Sequence, residues 1–290
     1  MRKKGIICLL IAAVCWGAGY IAQSFGLKHI QPFAMTCGRY IVATLILLPL
    51  ALRSVPLSGE GKSIWKRCAY TGFLCGLPMA VSMILQSMGL AETTAGKGAF
   101  ISSLYIVFTP VLGVLLRKKV RAQIWVAVAI ALVGSYFLCV TGDFTLARGD
   151  ILIFLCAISF AVQNHVIEGV GDNGYPLVHS LFTEMTVCVT SLVLMIIAGD
   201  IPTTTQLAGA ILPILFAGVV AGSVADTCAL MGQTLVGAQL ASVLMGLESV
   251  FGAIFGVLFL KETLTIREVF GCILIFIGVL VAQYEKKETV

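Results

Sequence analysis

The chain has 290 residues, 59% of them hydrophobic and only 11% charged, with a mean hydropathy of +1.03. A soluble domain carries about 25% charged residues, so this composition excludes a water-solvated globule and requires lipid around most of the surface. The net charge of +5 reports membrane topology, and no nucleic-acid partner is expected.

Ten apolar runs are long enough to cross a hydrocarbon core about 30 Å thick at about 1.5 Å per residue. They are 5–27, 32–52, 68–90, 95–116, 122–141, 149–169, 176–198, 209–232, 237–260 and 266–284. The first follows a basic MRKK start, as a secretory signal would, but stays apolar to Leu27 and has Val14 before Cys15, so it reads as a retained span. Within it Trp16, Tyr20 and Gln23 stand at i, i+4 and i+7, on one helical face. Lipid would leave Gln23 unsatisfied, so that face is expected to line an internal cavity, with interhelical hydrogen bonding as the alternative.

The second run carries Arg39. The fourth places Ser102, Tyr105 and Thr109 on one face, with Lys97 at its mouth. Pro110 frees a backbone carbonyl there, which a wet cavity tolerates. In the sixth run, Phe160, Gln163 and Asn164 offer a second aromatic and amide stripe, with Glu168 alongside. Glu184 in the seventh and Arg39 in the second each lie roughly 12 Å in, from opposite sides. Each is expected to snorkel to its own interface, without pairing. Glu248 near the middle of the ninth run lies too deep for that, and Asp226 sits in the inner half of the eighth. With Glu184 they are candidate proton-coupling groups, a structural role being the alternative for Glu248. The GLESVFGAIFG centre makes the ninth run the least secure as a straight helix.

Thirteen Lys and Arg fall on the N-terminal side of the membrane and five on the other, with Arg39 inside a span. The positive-inside rule therefore expects both termini in the cytoplasm. Most of that bias comes from the first half of the chain.

The chain repeats itself. At an offset of 144, residues 15–32 fall on 159–176, which pairs Trp16 with Phe160, Tyr20 with Asn164 and Pro32 with Pro176. The same offset lays 125–137 on 269–281 and pairs Gly134 with Gly278. An offset of 143 superposes LYIVFTPVLGVLL (104–116) on LESVFGAIFGVLF (247–259). Between the third and eighth runs the register slips and no mates are assigned. Five spans is an odd number, so the second copy, 145–290, enters the membrane inverted relative to the first, 1–144. The expected fold is all-α, ten transmembrane helices in two inverted five-helix repeats, an architecture common among secondary transporters.

KETLTIREVFGCILIFIGVL resembles the end of an EamA repeat, a turn followed by a helix with Gly-x-x-Leu-Ile-x-x-Gly-Val. WGAGYIAQ, LYIVFTP and LESVFG match the same repeat. Over essentially its whole length the chain is similar to the ten-span EamA type of the drug/metabolite transporter superfamily. That resemblance implies spans 1, 3, 4, 6, 8 and 9 around a central cavity, spans 5 and 10 at the periphery, and export rather than import. The first repeat departs at RKKVRAQ, with Lys119 at the usual acidic turn position, and Ser-Val-Phe follows Glu248 where Pro-Val-Phe is frequent.

The expected function is a secondary transporter, an exporter of a small metabolite such as an amino acid, working by alternating access and not as an enzyme. Trp16, Tyr20, Gln23, Ser102, Tyr105, Phe160, Gln163 and Asn164 are the expected substrate contacts. Alternatives are a lipid flippase or flippase subunit, which needs a cavity open sideways, and an intramembrane enzyme pairing Asp226 with Glu248 or Glu184. No cofactor or metal is expected. The ten cysteines form no C-x-x-C, His29, His165 and His179 are dispersed, and AGKG (95–98) lacks the first Gly and the Ser/Thr of a phosphate loop. The expected setting is the plasma membrane, as a monomer or homodimer, with lipid and a small solute as partners.

Overall fold

The computed structural model describes residues 1–93, 95–140, 147–171, 174–260 and 263–284. The side chain of Lys97, placed above at the mouth of the fourth run, lies outside that description, as do Lys261, Glu262, Lys286 and Lys287. The described residues are helical with no strand, and ten helices are long and apolar enough to cross a membrane. They are α1 (Arg2–Gly26), α2 (Pro32–Ser54), α3 (Gly61–Glu92), α4 (Gly98–Leu115), α5 (Ala122–Cys139), α6 (Arg148–Val170), α7 (Pro176–Ile197), α8 (Thr204–Val236), α9 (Ala238–Phe259) and α10 (Ile266–Gln283). The outward faces are apolar, as lipid requires, with Leu45, Phe73, Ile196, Leu212 and Leu280 among the exposed side chains. α3 and α8 have 32 and 33 residues and begin before the apolar runs do. About 48 Å of helix exceeds the hydrocarbon thickness, so the polar starts GKSIWKR and TTQL extend beyond it.

Helix starts follow local chemistry. α8 and α10 open with capping boxes, Thr203 with Gln206 and Thr265 with Glu268. α2 opens on Pro32 and has no cap of its own. Asp200, in the α7–α8 connection, supplies one by accepting from the N–H groups of Phe33 and Ala34 at 3.0 and 3.3 Å.

Small residues set the packing. A β-carbon on Gly134 would stand 2.8 Å from the Gly271 carbonyl oxygen, and one on Gly278 would stand 2.9 Å from that of Ala127. Numbering rises along α5 as it falls along α10, so this peripheral pair is antiparallel. The offset of 144 relates Gly134 to Gly278 and Ala127 to Gly271, so exchanging the two halves maps the contact onto itself. That is the signature of inverted repeats about a pseudo-twofold axis in the membrane plane.

The same symmetry supplies the register that the sequence withheld for α3 and α8. A β-carbon on Gly76 would meet the Thr183 carbonyl at 2.7 Å, and one on Gly218 would meet that of Arg39 at 2.7 Å. Further along, Gly89 approaches the Gly149 carbonyl at 2.8 Å, as Gly232 approaches that of Gly5 at 2.9 Å. Thirteen residues separate Gly76 from Gly89, but fourteen separate Gly218 from Gly232. The extra residue is absorbed in a π-helical stretch, Ala217–Asp226.

Two helices are interrupted, as expected for the ninth. α4 breaks at Leu104 and α9 at Gly246–Leu247. Leu104 and Leu247 are mates at offset 143, so Tyr105 and Glu248 open the second segments at symmetry-related points.

A side chain at Gly271 should force α5 and α10 apart, since its β-carbon would lie 2.6 Å from the Gly134 oxygen. Gly271→Leu is expected to cost about 1–3 kcal/mol or more. Thermal melts in detergent check this, with the lipid-facing Ile273→Leu as a neutral control.

Candidate substrate cavity

A cavity of about 70 Å³ lies at the centre of the bundle. Its lining comes from α1–α4 and α6–α9, and the peripheral α5 and α10 contribute nothing among the described residues. The expectation for α2 and α7 needs correction, because Arg39, Ser180, Thr183 and Glu184 all face this space. Repeat mates meet there: Trp16 with Phe160, Tyr20 with Asn164, Tyr105 with Glu248, and Arg39 with Thr183.

Trp16, Tyr20, Gln23, Tyr105, Phe160, Gln163 and Asn164 line the cavity. Ser102 lies beside Tyr20 on the wall of an adjoining hollow, with its hydroxyl donating to the Ala99 carbonyl at 3.0 Å. Thr109 is turned away from the cavity, donating to the Tyr105 carbonyl at 2.7 Å and accepting from Asn164 Nδ2 at 3.2 Å. Gln23 fulfils both readings of its stripe. It lines the cavity while its amide donates to Ser87 Oγ at 3.0 Å, and Ser87 lies 2.8 Å from Thr36 Oγ1.

Asp226 is the best-connected carboxylate. Trp16 Nε1 donates to Oδ1 at 2.8 Å, Tyr40 Oη donates to Oδ2 at 3.3 Å, and Arg39 Nη2 stands 3.9 Å from Oδ2. Arg39 also stacks on the Tyr40 ring at 5.0 Å and reaches Gln23 Oε1 at 3.5 Å. Glu184 is fully buried in the same lining, and neither of its oxygens has a hydrogen-bond partner. Arg39 and Glu184 therefore do not snorkel. Entering roughly 12 Å from opposite sides of a core about 30 Å thick leaves them only about 6 Å apart in depth, which a guanidinium side chain spans.

Met79, Met83, Gln86, Met245 and Gln233 complete the walls, and sequence reasoning passed over them. Gln86 and Gln233 carry the signal that marked Gln23, an amide within an apolar span. The methionines carry none, since thioethers suit lipid and cavity alike.

Hollows approach the cavity from both faces. One of about 300 Å³, on the face away from the termini, is bounded by α1, α4, α5, α9 and the start of α10 and shares Trp16, Tyr20 and Glu248 with the cavity. Another of about 200 Å³, on the face of the termini, shares Leu230. On that face Glu168 pairs with Lys118 at 2.5 Å and with His165 Nδ1 at 3.2 Å, while His165 Nε2 donates to the Thr109 carbonyl at 2.7 Å. These bonds tie α4 to α6. The ten cysteines are free thiols, and no cluster of three metal ligands occurs among the described residues.

The EamA-like transporter family model matches the chain twice, over residues 3–140 and 147–284. The chain belongs to this family. The two matches start 144 residues apart, the offset read from the sequence. A protein of Archaeoglobus fulgidus described as an uncharacterized transporter is 29% identical over 279 residues, covering 95% of this chain and 84% of its own length. A second, of Methanothermobacter thermautotrophicus and described in the same words, is 25% identical, covering 99% and 88%. A solved crystal structure superposes with a TM-score of 0.77 at 15% identity, covering 98% of both chains, and shares the fold. This EamA-family chain is thus a multi-pass membrane transporter.

Trp16→Phe keeps the ring but removes the indole N–H from a buried carboxylate. It should cost about 1–3 kcal/mol. In Asp226→Asn the same substitution should cost less, and a double-mutant cycle of melting temperatures measures the difference.

Proposed function

We propose that the protein is a secondary carrier that exports a small metabolite, such as an amino acid, across the plasma membrane by alternating access, with both termini in the cytoplasm. The observation that carries this reading is a small cavity at the centre of an inverted repeat, parted from a hollow on each face by a few side chains. Its volume of about 70 Å³ admits a few waters, so the bundle must open to admit a solute. The aromatic faces of Trp16, Tyr20, Tyr105 and Phe160 suit an apolar part, the methionines adapt to its shape, and Gln163 and Asn164 suit polar groups. Enclosure by eight helices favours a water-soluble cargo over a lipid. On this reading the carboxylates hold ions and no reaction is catalysed.

Asp226 and Glu184 flank a single guanidinium, so one negative charge stays unbalanced until a proton or another cation joins them. A proton there changes the attraction that holds Arg39 between α2 and α8, which couples proton binding to helix position. The test uses sealed vesicles reconstituted with the full chain. Solute flux should respond to an imposed pH gradient, and Glu184→Gln should abolish that response while exchange of labelled for unlabelled solute persists. A wild-type flux indifferent to the gradient removes proton coupling.

A further inference from the structure

The cavity has an unequal charge inventory. Its lining contains one cation, Arg39, already engaged by Asp226 at 3.9 Å and by the Tyr40 ring, against the carboxylates of Asp226, Glu184 and Glu248. Among the described residues no Lys, Arg or His stands within 4 Å of Glu248. A solute of net negative charge would find no free cation here and would be repelled, whereas an ammonium group, alone or in a zwitterion, would be drawn in.

The surroundings of Glu248 specify the kind of cation. Trp16, Tyr20 and Tyr105 share its stretch of wall. The Tyr105 side chain is 4% exposed, and its hydroxyl lies beside the Glu248 carboxylate without a well-formed hydrogen bond. The Tyr20 hydroxyl is likewise buried and lies beside Ser102 without a well-formed hydrogen bond. The ring of Phe160 stands 6.0 Å from that of Tyr105. Aromatic faces beside a carboxylate, with phenol oxygens open to accept N–H bonds, receive an organic ammonium group: the carboxylate supplies the charge and the ring quadrupoles replace part of its hydration. A bare metal ion would need several oxygen ligands at short range, which this wall does not gather.

We infer that the transported solute carries an ammonium group, seated between Glu248 and the rings of Trp16, Tyr20 and Tyr105. This rests on the carrier reading given above. Trp16, Tyr20 and Glu248 also line the hollow of about 300 Å³ on the face away from the termini, so the ammonium seat is the partition between cavity and vestibule. Beyond the seat the vestibule wall carries Glu268 and Lys28, the latter over the Phe25 ring.

The experiment compares solutes that share a skeleton and differ in charge. Melting temperatures of the purified chain are taken with amines graded from methylamine to phenethylamine, and with the carboxylic acid matched to each. At least one amine should raise the melting temperature, and its matched acid should not. Glu248→Gln and Tyr20→Leu should each weaken apparent amine affinity at least tenfold, while Tyr20→Phe, which keeps the ring, should stay within about threefold. Protection by acids as strong as by amines, protection by no amine, or amine binding untouched in Glu248→Gln overturns the inference. Flux of labelled amine in sealed vesicles separates it from the carrier reading. Amine binding without flux leaves the ammonium seat standing and counts against transport, and flux of the matched acids counts against the seat alone.

Discussion

A carboxylate in the hydrocarbon region persists only where donors replace the water it has lost, and Asp226 imposes that condition on three helices at once. It draws the indole of Trp16 from α1, and the phenol of Tyr40 and the guanidinium of Arg39 from α2, onto one point of α8. Trp16 also reaches the Ala221 carbonyl at 3.2 Å, inside the π-helical stretch that ends at Asp226. One extra residue in a continuous α-helix would rotate everything beyond it by about 100°. Widening a few turns absorbs that rotation locally. Gly232 consequently meets Gly5 as its mate Gly89 meets Gly149, while Asp226 stands where the other repeat has Met83.

Helices in lipid gain little from burying apolar surface against one another, so close approach and polar contacts must hold them. The glycines supply the approach, bringing backbone carbonyls to the positions a β-carbon would occupy at Gly76, Gly89, Gly134 and their mates. Side chains of the facing helix fill the rest of each notch, Ile153 at Gly89 and Leu9 at Gly232. The polar ties are local by contrast: Asp226 within the cavity, Asp200 on α2, and the Lys118–Glu168–His165 group joining α4 to α6.

Ten spans, the duplication and the inward face of Trp16, Tyr20, Phe160 and Asn164 were legible in the sequence because each rests on a strong rule: span length, a repeated offset, and the cost of an amide in lipid. What was illegible has equally physical causes. Arg39 and Glu184 were assigned to separate interfaces because depth along a helix ignores the reach of a side chain across the bundle. The α3–α8 register was hidden by a one-residue insertion that α8 takes up as π-helix. Ser102 falls on the wall of the adjoining hollow and not of the cavity, because periodicity fixes a helix face but not which space that face opens onto. Asp200 leaves no local mark, since the helix it caps lies in the other half of the chain.

Symmetry of backbone and asymmetry of chemistry divide the work of the cavity. At the mated positions the first repeat offers Trp16, Tyr20 and Tyr105, and the second offers Phe160, Asn164 and Glu248. Glu184 and Asp226 add further negative charge from the second repeat, and Arg39 is the one charged group lining the cavity from the first. When two such halves rock about the axis that relates them, the backbone can visit equivalent outward and inward states, yet the two walls never exchange character. A solute held there keeps a mainly aromatic wall on one side and a mainly polar, acidic wall on the other throughout the cycle. On the carrier function proposed above, that arrangement suits amphiphiles, and the energetic difference between the two access states would lie in the charges of the second repeat and their single counter-ion, Arg39.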